Sequence, residues 1–480
     1  MTQAIDPVNG GTPTANMNHT SSDRRQWSDR TENNGRRISP AGYDGNLRQI
    51  GRHETVCVVG LGYVGIPLAV QFARNDFDVI GYDVDRSKIA SLEDGVDVTR
   101  NCSRNTLQAE NLSFTADPEP IADARFVIVT VPTPVDTHNV PNLEYVRAAG
   151  RTIGAQLTAG TTVILESTVY PGAVREVFVP ALESASGLSS PESFSVGYSP
   201  ERISPGEVGR GLDDVVKIVS GQTDEIREEI ASLYETIVDA GVYRAPSIEV
   251  AEASKVIENA QRDLNIAFVN ELAMAFERME IDIDTHEVLD AAGTKWNFHD
   301  YRPGLVGGHC IPVDPHFFCA AAERDGFVPE LMRKARQVNE AVPNHVAELT
   351  VKELAANGKQ PGSSTVLLLG LTYKADVPDV RTAAIDGVAR HLGTFGVSVR
   401  GYDPVGDYAE IRETFDFPID DHLSFEGLDG VVLATSHTVF DEIEPNTMAR
   451  ALNADPVLVD VPGMFDRSAV CDAGISYRRL

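Results

Sequence analysis

Apolar residues in this chain recur in short runs bounded by glycine, asparagine, aspartate and proline, and the runs alternate with longer segments of helical spacing. Thr55-Val-Cys-Val-Val-Gly60 reads as a buried strand, and the stretch from Gly62 to Asn75 carries a helix-compatible pattern. A second strand, Asp78-Val-Ile-Gly-Tyr82, ends in Asp83. Runs at Phe126-Val-Ile-Val-Thr-Val131 and Thr162-Val-Ile-Leu165 continue the strand-helix-strand rhythm of a parallel sheet. From about Ile248 to Arg278 the spacing is helical with neither proline nor glycine, which at ~1.5 Å per residue predicts a rod of about 45 Å. A helix that long joins domains or lines a dimer interface. After Pro343 the pattern predicts another helix and then a second series: Thr365-Val-Leu-Leu-Leu369, a helix from Thr382 to Leu392, Ser398-Val-Arg-Gly-Tyr402 before Asp403, and runs at Val431–Ala434 and Val457–Asp460.

This order predicts an α/β protein: two Rossmann-like doubly wound domains bracketing a central helical region. The boundaries fall at residues 54–245, 246–343 and 344–480. Residues 1–53 are rich in Asn, Ser, Thr, Gly, Arg and Pro without apolar periodicity, so they cannot offset chain entropy by burial and are expected to form a disordered tail. The two halves share a rhythm, but no clear internal repeat is legible.

Composition narrows the partners. The formal charge of -30 repels nucleic acid and anionic membrane at long range, so any phosphate must be met by local groups. Acids outnumber bases 71 to 41, and only eight of the bases are lysine. Such an acidic balance suggests a salt-rich cytoplasm, in which short Debye lengths screen self-repulsion; an ordinarily acidic enzyme is the alternative. No apolar stretch approaches the ~20 residues of a membrane span. The five cysteines are scattered and odd in number, which fits reduced thiols in a cytoplasm and leaves one available as a nucleophile.

Three motifs carry candidate chemistry. In Gly60-Leu-Gly62-Tyr63-Val64-Gly65, between a strand and a helix, Gly60 permits a tight turn, Gly62 admits a pyrophosphate to the helix N-terminus, and Gly65 allows close packing. Asp83 lies where an acid would accept hydrogen bonds from the adenosine ribose, which favours NAD over NADP. The second motif is Pro303-Gly-Leu-Val-Gly307-Gly308-His-Cys310-Ile-Pro-Val-Asp314, where small residues expose a sulfur. Its neighbours His309, His316 and Cys319 raise a metal reading, but neither paired Cys-x-x-Cys nor His-Glu-x-x-His spacing is present and no metal is expected. A buried structural cysteine is the other alternative. The third motif is Lys255 and Asn259, four residues apart on one helix face with Ile257, Ala260, Leu264 and Phe268 as neighbours. An amine and an amide beside a thiol could lower its pKa and stabilise an oxyanion.

Gly-Gly-His-Cys-Ile-Pro-Val-Asp, the Val250–Asn259 helix, Tyr198-Ser-Pro-Glu201-Arg202 and Glu166-Ser-Thr168-Val-Tyr-Pro-Gly together resemble the UDP-sugar 6-dehydrogenase family over residues 54 to 470. The resemblance implies an N-terminal NAD-binding domain, a central helix that mediates a homodimer or higher oligomer, and a C-terminal UDP-sugar-binding domain. It implies two hydride transfers that take the sugar 6-hydroxyl to an aldehyde and then to a thioester on Cys310, which water releases as the acid. Lys255 and Asn259 then stabilise oxyanions, Asp314 orders a water and Lys255, Glu201 is the general base, and Thr168 holds the water. Tyr63, Val64, Thr130, Thr133, Thr168 and Arg381 fall against NAD. Glu201, Arg202, Lys255, Asn259, Gly307 and Lys374 fall against the UDP-sugar.

Val313 and Pro205 stand where the UDP-glucose branch carries a lysine and a second glutamate. The strings Ser199–Gly206, Asn259–Asn265 and Lys295-Trp-Asn-Phe298 instead resemble the branch acting on UDP-N-acetylglucosamine or UDP-N-acetylgalactosamine. UDP-N-acetylmannosamine and UDP-glucose are the alternatives. A dehydrogenase making a single hydride transfer is a different class, and it needs no cysteine.

Overall fold

The computed structural model describes residues 54–99, 101–202, 211–279, 281 and 283–480; the tail expected over residues 1–53 and the position of Pro205 lie outside them. Among the described residues, the first sheet holds β1 (Thr55–Val59), β2 (Asp78–Tyr82), β3 (Leu112–Thr115), β4 (Phe126–Val129), β5 (Thr162–Leu165), β6 (Ser195–Tyr198), β7 (Lys217–Gly221) and β8 (Val242–Arg244). Their order is β3-β2-β1-β4-β5-β6-β7-β8. The first six strands run parallel, and β7 turns back antiparallel to β6. The order reverses between β1 and β4, which opens a crevice at the carboxyl ends of those strands. Val56, Cys57 and Val58 are fully buried, as a strand covered by helices on both faces requires.

A second sheet of β9 (Thr365–Leu369), β10 (Ser398–Tyr402), β11 (Gly430–Leu433), β12 (Val457–Asp460) and β13 (Ser476–Arg479) is parallel throughout, in the order β10-β9-β11-β12-β13. The architecture is therefore α/β with two doubly wound sheets.

The two sheets repeat a local design that the sequence reading did not find. Thr55 pairs with Asp78 and Val59 with Tyr82, just as Thr365 pairs with Ser398 and Leu369 with Tyr402. Thr-Val-x-x-x-Gly-Leu-x-Tyr then recurs at residues 55–63 and 365–373, and Gly-Tyr-Asp at 81–83 and 401–403. Gly60 and Gly370 both take positive φ, and Leu61 and Leu371 each donate a backbone N–H to the aspartate after the second strand, Asp83 or Asp403. The likeness is confined to one turn and one strand end, so no period runs through the intervening helices.

Between the sheets, the helix Ile248–Arg278 is capped by Ser247, whose side chain accepts from the Val250 N–H. A second long helix, Glu330–Ala356, passes through Pro343 instead of starting after it. Val342, Val346 and Leu349 are buried around the proline, and this packing outweighs the lost backbone hydrogen bond. The helix expected from Thr382 starts at Ile385.

Candidate functional site

At the β1 turn, Gly60 takes φ +94°, and its backbone N–H donates to the Tyr82 carbonyl. A Cβ on Gly65 would lie 2.0 Å from the Gly60 carbonyl oxygen and 2.7 Å from Thr130 Oγ1, so only glycine lets the helix Gly65–Arg74 start there. Gly62 differs: a Cβ there would meet no protein atom within 4 Å. The open space at Gly62, beside a helix N-terminus, is where a pyrophosphate needs backbone to approach. Thr130, just past β4, donates its hydroxyl to the Gly60 carbonyl at 2.6 Å and braces the turn. Val64 is the N-cap residue of the helix, and Thr133 is half-buried in the loop beyond Thr130. Asp83 is buried at the end of β2 and accepts from the N–H groups of Leu61 and Asp85.

Lys88 reaches Asp83 Oδ2 at 2.7 Å, a partner that sequence reasoning missed. Only the fold shows that one turn of helix beyond Asp85 brings it back over the aspartate. These residues fit an NAD: a glycine cradle for pyrophosphate, and a carboxylate with an ammonium at the ribose end.

The buried face of the central helix Ile248–Arg278 carries polar residues, each tied to another segment. Glu252 accepts the backbone N–H groups of Gly172 and Val174 at 2.5 and 2.8 Å, which anchors the loop leading on from half-buried Thr168. Burial pushes Glu252 up to about 7, although these two bonds favour the carboxylate. Asn259 donates to Asp314 Oδ2 at 2.6 Å, and Lys255 Nζ lies 3.8 Å from the same oxygen. Asp263 pairs with Arg336 at 2.5 Å. Asn270 grips both backbone polar groups of Gly304, at 2.8 and 3.0 Å. Ile257 and Phe268 do not share the Lys255 face as expected; they are 47% and 53% exposed, because their spacing turns them outward.

Cys310 follows the gripped loop, and its carbonyl accepts the Asp314 N–H at 2.8 Å where the helix Asp314–Arg324 begins. Burial pushes the Cys310 thiol up to about 11, with Lys255 opposing and Asp314 adding to the rise. The expected lowering of the thiol pKa is therefore not seen. Burial outweighs the ammonium, and Asn259 directs its amide at Asp314.

The second sheet closes over this loop. Cβ atoms on Gly307 and Gly308 would lie 3.0 and 2.9 Å from Tyr373, so the chain passes tightly under the turn that carries half-buried Lys374. Arg381 is held bidentately by Asp379 and stacks over the Tyr63 ring at 4.6 Å, bringing a cation from the second sheet to the dinucleotide turn. A cavity of about 600 Å³ opens beside Val306 and Thr382 and is lined by Arg336, Arg390 and His391, not at the thiol.

Glu201 and Arg202 follow β6. Arg202 pairs with Glu258 of the central helix at 2.7 Å and donates to the Val216 carbonyl at 2.6 Å, so its guanidinium ties protein segments together. Glu201 Oε2 lies 3.6 Å from Lys217 Nζ.

Sequence profiles of the UDP-glucose/GDP-mannose dehydrogenase family match this chain in three successive segments: the NAD binding domain at residues 54–238, the central domain at 249–341 and the UDP binding domain at 367–467. The UDP-N-acetyl-D-glucosamine 6-dehydrogenase of Salmonella typhi is 43% identical over 389 residues, covering 81% of this chain and 91% of that protein. The enzyme of the same name from Pseudomonas aeruginosa is 42% identical over 412 residues, covering 86% and 97%. Among solved structures, the UDP-D-ManNAc dehydrogenase of Pyrococcus horikoshii superposes with a TM-score of 0.79 at 27% identity, covering 88% of this chain and 98% of that one.

Proposed function

The chain belongs to the UDP-glucose/GDP-mannose dehydrogenase family and is an NAD-dependent oxidoreductase, and from that premise we propose that it oxidises the 6-hydroxyl of UDP-N-acetylglucosamine to the carboxylate through a thioester on Cys310. The observation that carries the mechanism is the convergence of Cys310, Lys255, Asn259 and Asp314 at the junction of the central helix and the glycine-rich loop.

NAD supplies the hydride acceptor, once for each of two oxidations. Gly62 would admit its pyrophosphate to the turn that Gly60 and Gly65 make possible, and Asp83 with Lys88 would hold the ribose. Tyr63 and Arg381, packed on one another, would flank it. Lys255 and the second N–H of the Asn259 amide, whose first is given to Asp314, are the donors for the oxygen at sugar C6. As C6 gives up its hydride and the hydroxyl proton passes to a water ordered by Asp314, the ammonium and amide stabilise the negative charge developing on the oxygen. The Cys310 sulfur adds to the resulting aldehyde carbon and its proton passes to the carbonyl oxygen, a transfer that suits a thiol with a raised pKa. The thiohemiacetal then loses its C6 hydride and, to the same water, its hydroxyl proton, which gives the thioester. Water activated by Glu201 and held by Thr168 then breaks the C–S bond and returns the thiol. Lys374, beyond the β9 turn, meets the UDP-sugar. The outward stripe of Val250, Ile257 and Phe268 on the central helix is the face for a second copy of the chain.

Val313, with no charge where the UDP-glucose branch carries lysine, supports an N-acetylhexosamine in the pocket. A site that hydrogen-bonds an acetamido group discriminates against glucose by on the order of a hundredfold in kcat/KM. Measuring kcat/KM for the UDP derivatives of N-acetylglucosamine, N-acetylgalactosamine, N-acetylmannosamine and glucose tests this. UDP-N-acetylglucosamine is expected to lead, and a preference for UDP-glucose contradicts the substrate assignment.

A further inference from the structure

Four polar side chains meet in the body of the first domain, and the reaction just described uses only one of them. β6 and β7 pair antiparallel with Gly197 opposite Gly221 and Tyr198 opposite Ser220. Continued past the end of β6, that register sets Glu201 across from Lys217, and Ser199 keeps the two segments together by donating to the Ile218 carbonyl at 2.8 Å. Lys217 is 3% exposed. Its Nζ lies 2.8 Å from Glu166 Oε2 and 3.6 Å from Glu201 Oε2. Glu166, just past β5, is itself buried and also accepts from the Tyr234 hydroxyl. The Lys217 ammonium sits 5.1 Å from the centre of the Tyr234 ring.

A lysine buried for structural reasons alone is neutralised by one carboxylate, and Glu166 already does this. A second carboxylate, Glu201, lies on the same ammonium; burial and then Glu201 push the Glu166 carboxyl up while Lys217 and Tyr234 oppose the rise, so the buried ammonium is shared between two acids rather than reserved for one. Burial opposes the Lys217 charge, but Glu166 and Glu201 outweigh it and keep the lysine protonated. Glu166 and Tyr234 thus hold the ammonium, and the ammonium lies at ion-pair distance, 3.6 Å, from one oxygen of Glu201. The other oxygen, Oε1, accepts the Arg202 backbone N–H at 2.7 Å, while the Arg202 guanidinium is tied to Glu258 on the central helix.

We propose that Lys217 is the positioning residue for the hydrolytic half of the reaction: anchored by Glu166 and Tyr234, it holds the Glu201 carboxylate in place to take a proton from the water that attacks the thioester carbon. This rests on the thioester reading above. In the step it serves, the water oxygen bonds to the thioester carbon, a water proton passes to Glu201, and the C–S bond breaks with the electron pair leaving on sulfur. Lys217 touches neither substrate nor water.

The test compares Lys217→Met, Lys217→Arg and the double variant Lys217→Met with Glu166→Gln, using UDP-N-acetylglucosamine and NAD. For Lys217→Met we expect kcat to fall on the order of 10²-fold, the size of a general-base contribution. The acyl-enzyme should accumulate on Cys310 by intact-protein mass spectrometry, and the acid limb of the kcat profile should move to higher pH, because the ionised carboxylate has lost its counter-charge. Lys217→Arg, which keeps the charge, should recover most of the rate. The double variant removes the buried pair together, so its Tm should exceed that of Lys217→Met while kcat stays low and the acyl-enzyme still accumulates. If kcat recovers with Tm in the double variant, or if Lys217→Met changes neither the pH profile nor the acyl-enzyme level, Lys217 is structural only and the proposal is overturned. A wild-type enzyme that forms no acyl-enzyme while producing NADH overturns the thioester reading itself.

Discussion

Burial holds the Cys310 thiol near 11, so at neutral pH it waits protonated until an aldehyde carbon is beside it. Changing Cys310 to Ser should leave NAD and UDP-sugar affinity nearly intact, because neither cradle uses the sulfur, while steady-state turnover disappears. Retained turnover, measured as NADH formation, would remove the covalent step. Glu252 shows the same effect of burial, a carboxyl drawn towards its neutral form. Its folded pKa of about 7 exceeds the ordinary ~4.3, so between those values the folded protein keeps a proton that the unfolded chain has released. Stability from this group is therefore full below about pH 4.3 and is lost as pH rises through 7, by at most ~4 kcal/mol. Chemical denaturation of wild type and Glu252→Gln across that window should show a flatter slope in the variant. Equal slopes would show that Glu252 titrates as an ordinary glutamate.

The dinucleotide turn separates two duties that look alike in sequence. Gly65 meets backbone and Thr130, whereas Gly62 meets nothing within 4 Å. Gly65→Ala should lower Tm and weaken NAD binding together. Gly62→Ala should keep Tm and raise the KM for NAD by roughly tenfold or more, since only the cofactor needs that space. Thermal melts with and without NAD, alongside KM, separate the two; a Gly62→Ala enzyme with normal KM would place the pyrophosphate elsewhere. At this scale the sequence was informative where one rule governs. The helix from Ile248 to Arg278 is read from spacing and the absence of breakers, and the motif at Gly60 from its place between strand and helix. It was less so where rules compete, as at Pro343, where buried packing overrides a helix breaker, and at β3, β6, β7, β8 and β13, whose short runs carry little periodicity. The Lys88–Asp83 pair and the Glu201–Lys217 register were illegible, because both depend on how distant segments come to lie side by side.

Across the whole molecule, the long central helix acts as a spine. Its buried polar face fastens the Thr168 loop through Glu252, the cysteine helix through Lys255 and Asn259, and the Gly304 loop through Asn270, so both halves of the chemistry refer to one rigid element. A net charge of -30 surrounds this frame, and self-repulsion of that size is relieved by screening. Tm should rise as salt increases from low concentration to about 1 M, a range over which the Debye length shrinks to ~3 Å. Full stability at low ionic strength would contradict a salt-adapted surface. None of the described helices is long and apolar enough to cross a membrane. The most direct test of the central claim is the ratio of NADH formed to UDP-N-acetylglucosamine consumed when the sugar is limiting. Retention of the aldehyde on Cys310 through to the acid predicts two NADH for every sugar, with no free aldehyde trapped by hydroxylamine, whereas one NADH per sugar would reduce the protein to a single-hydride dehydrogenase and contradict the account.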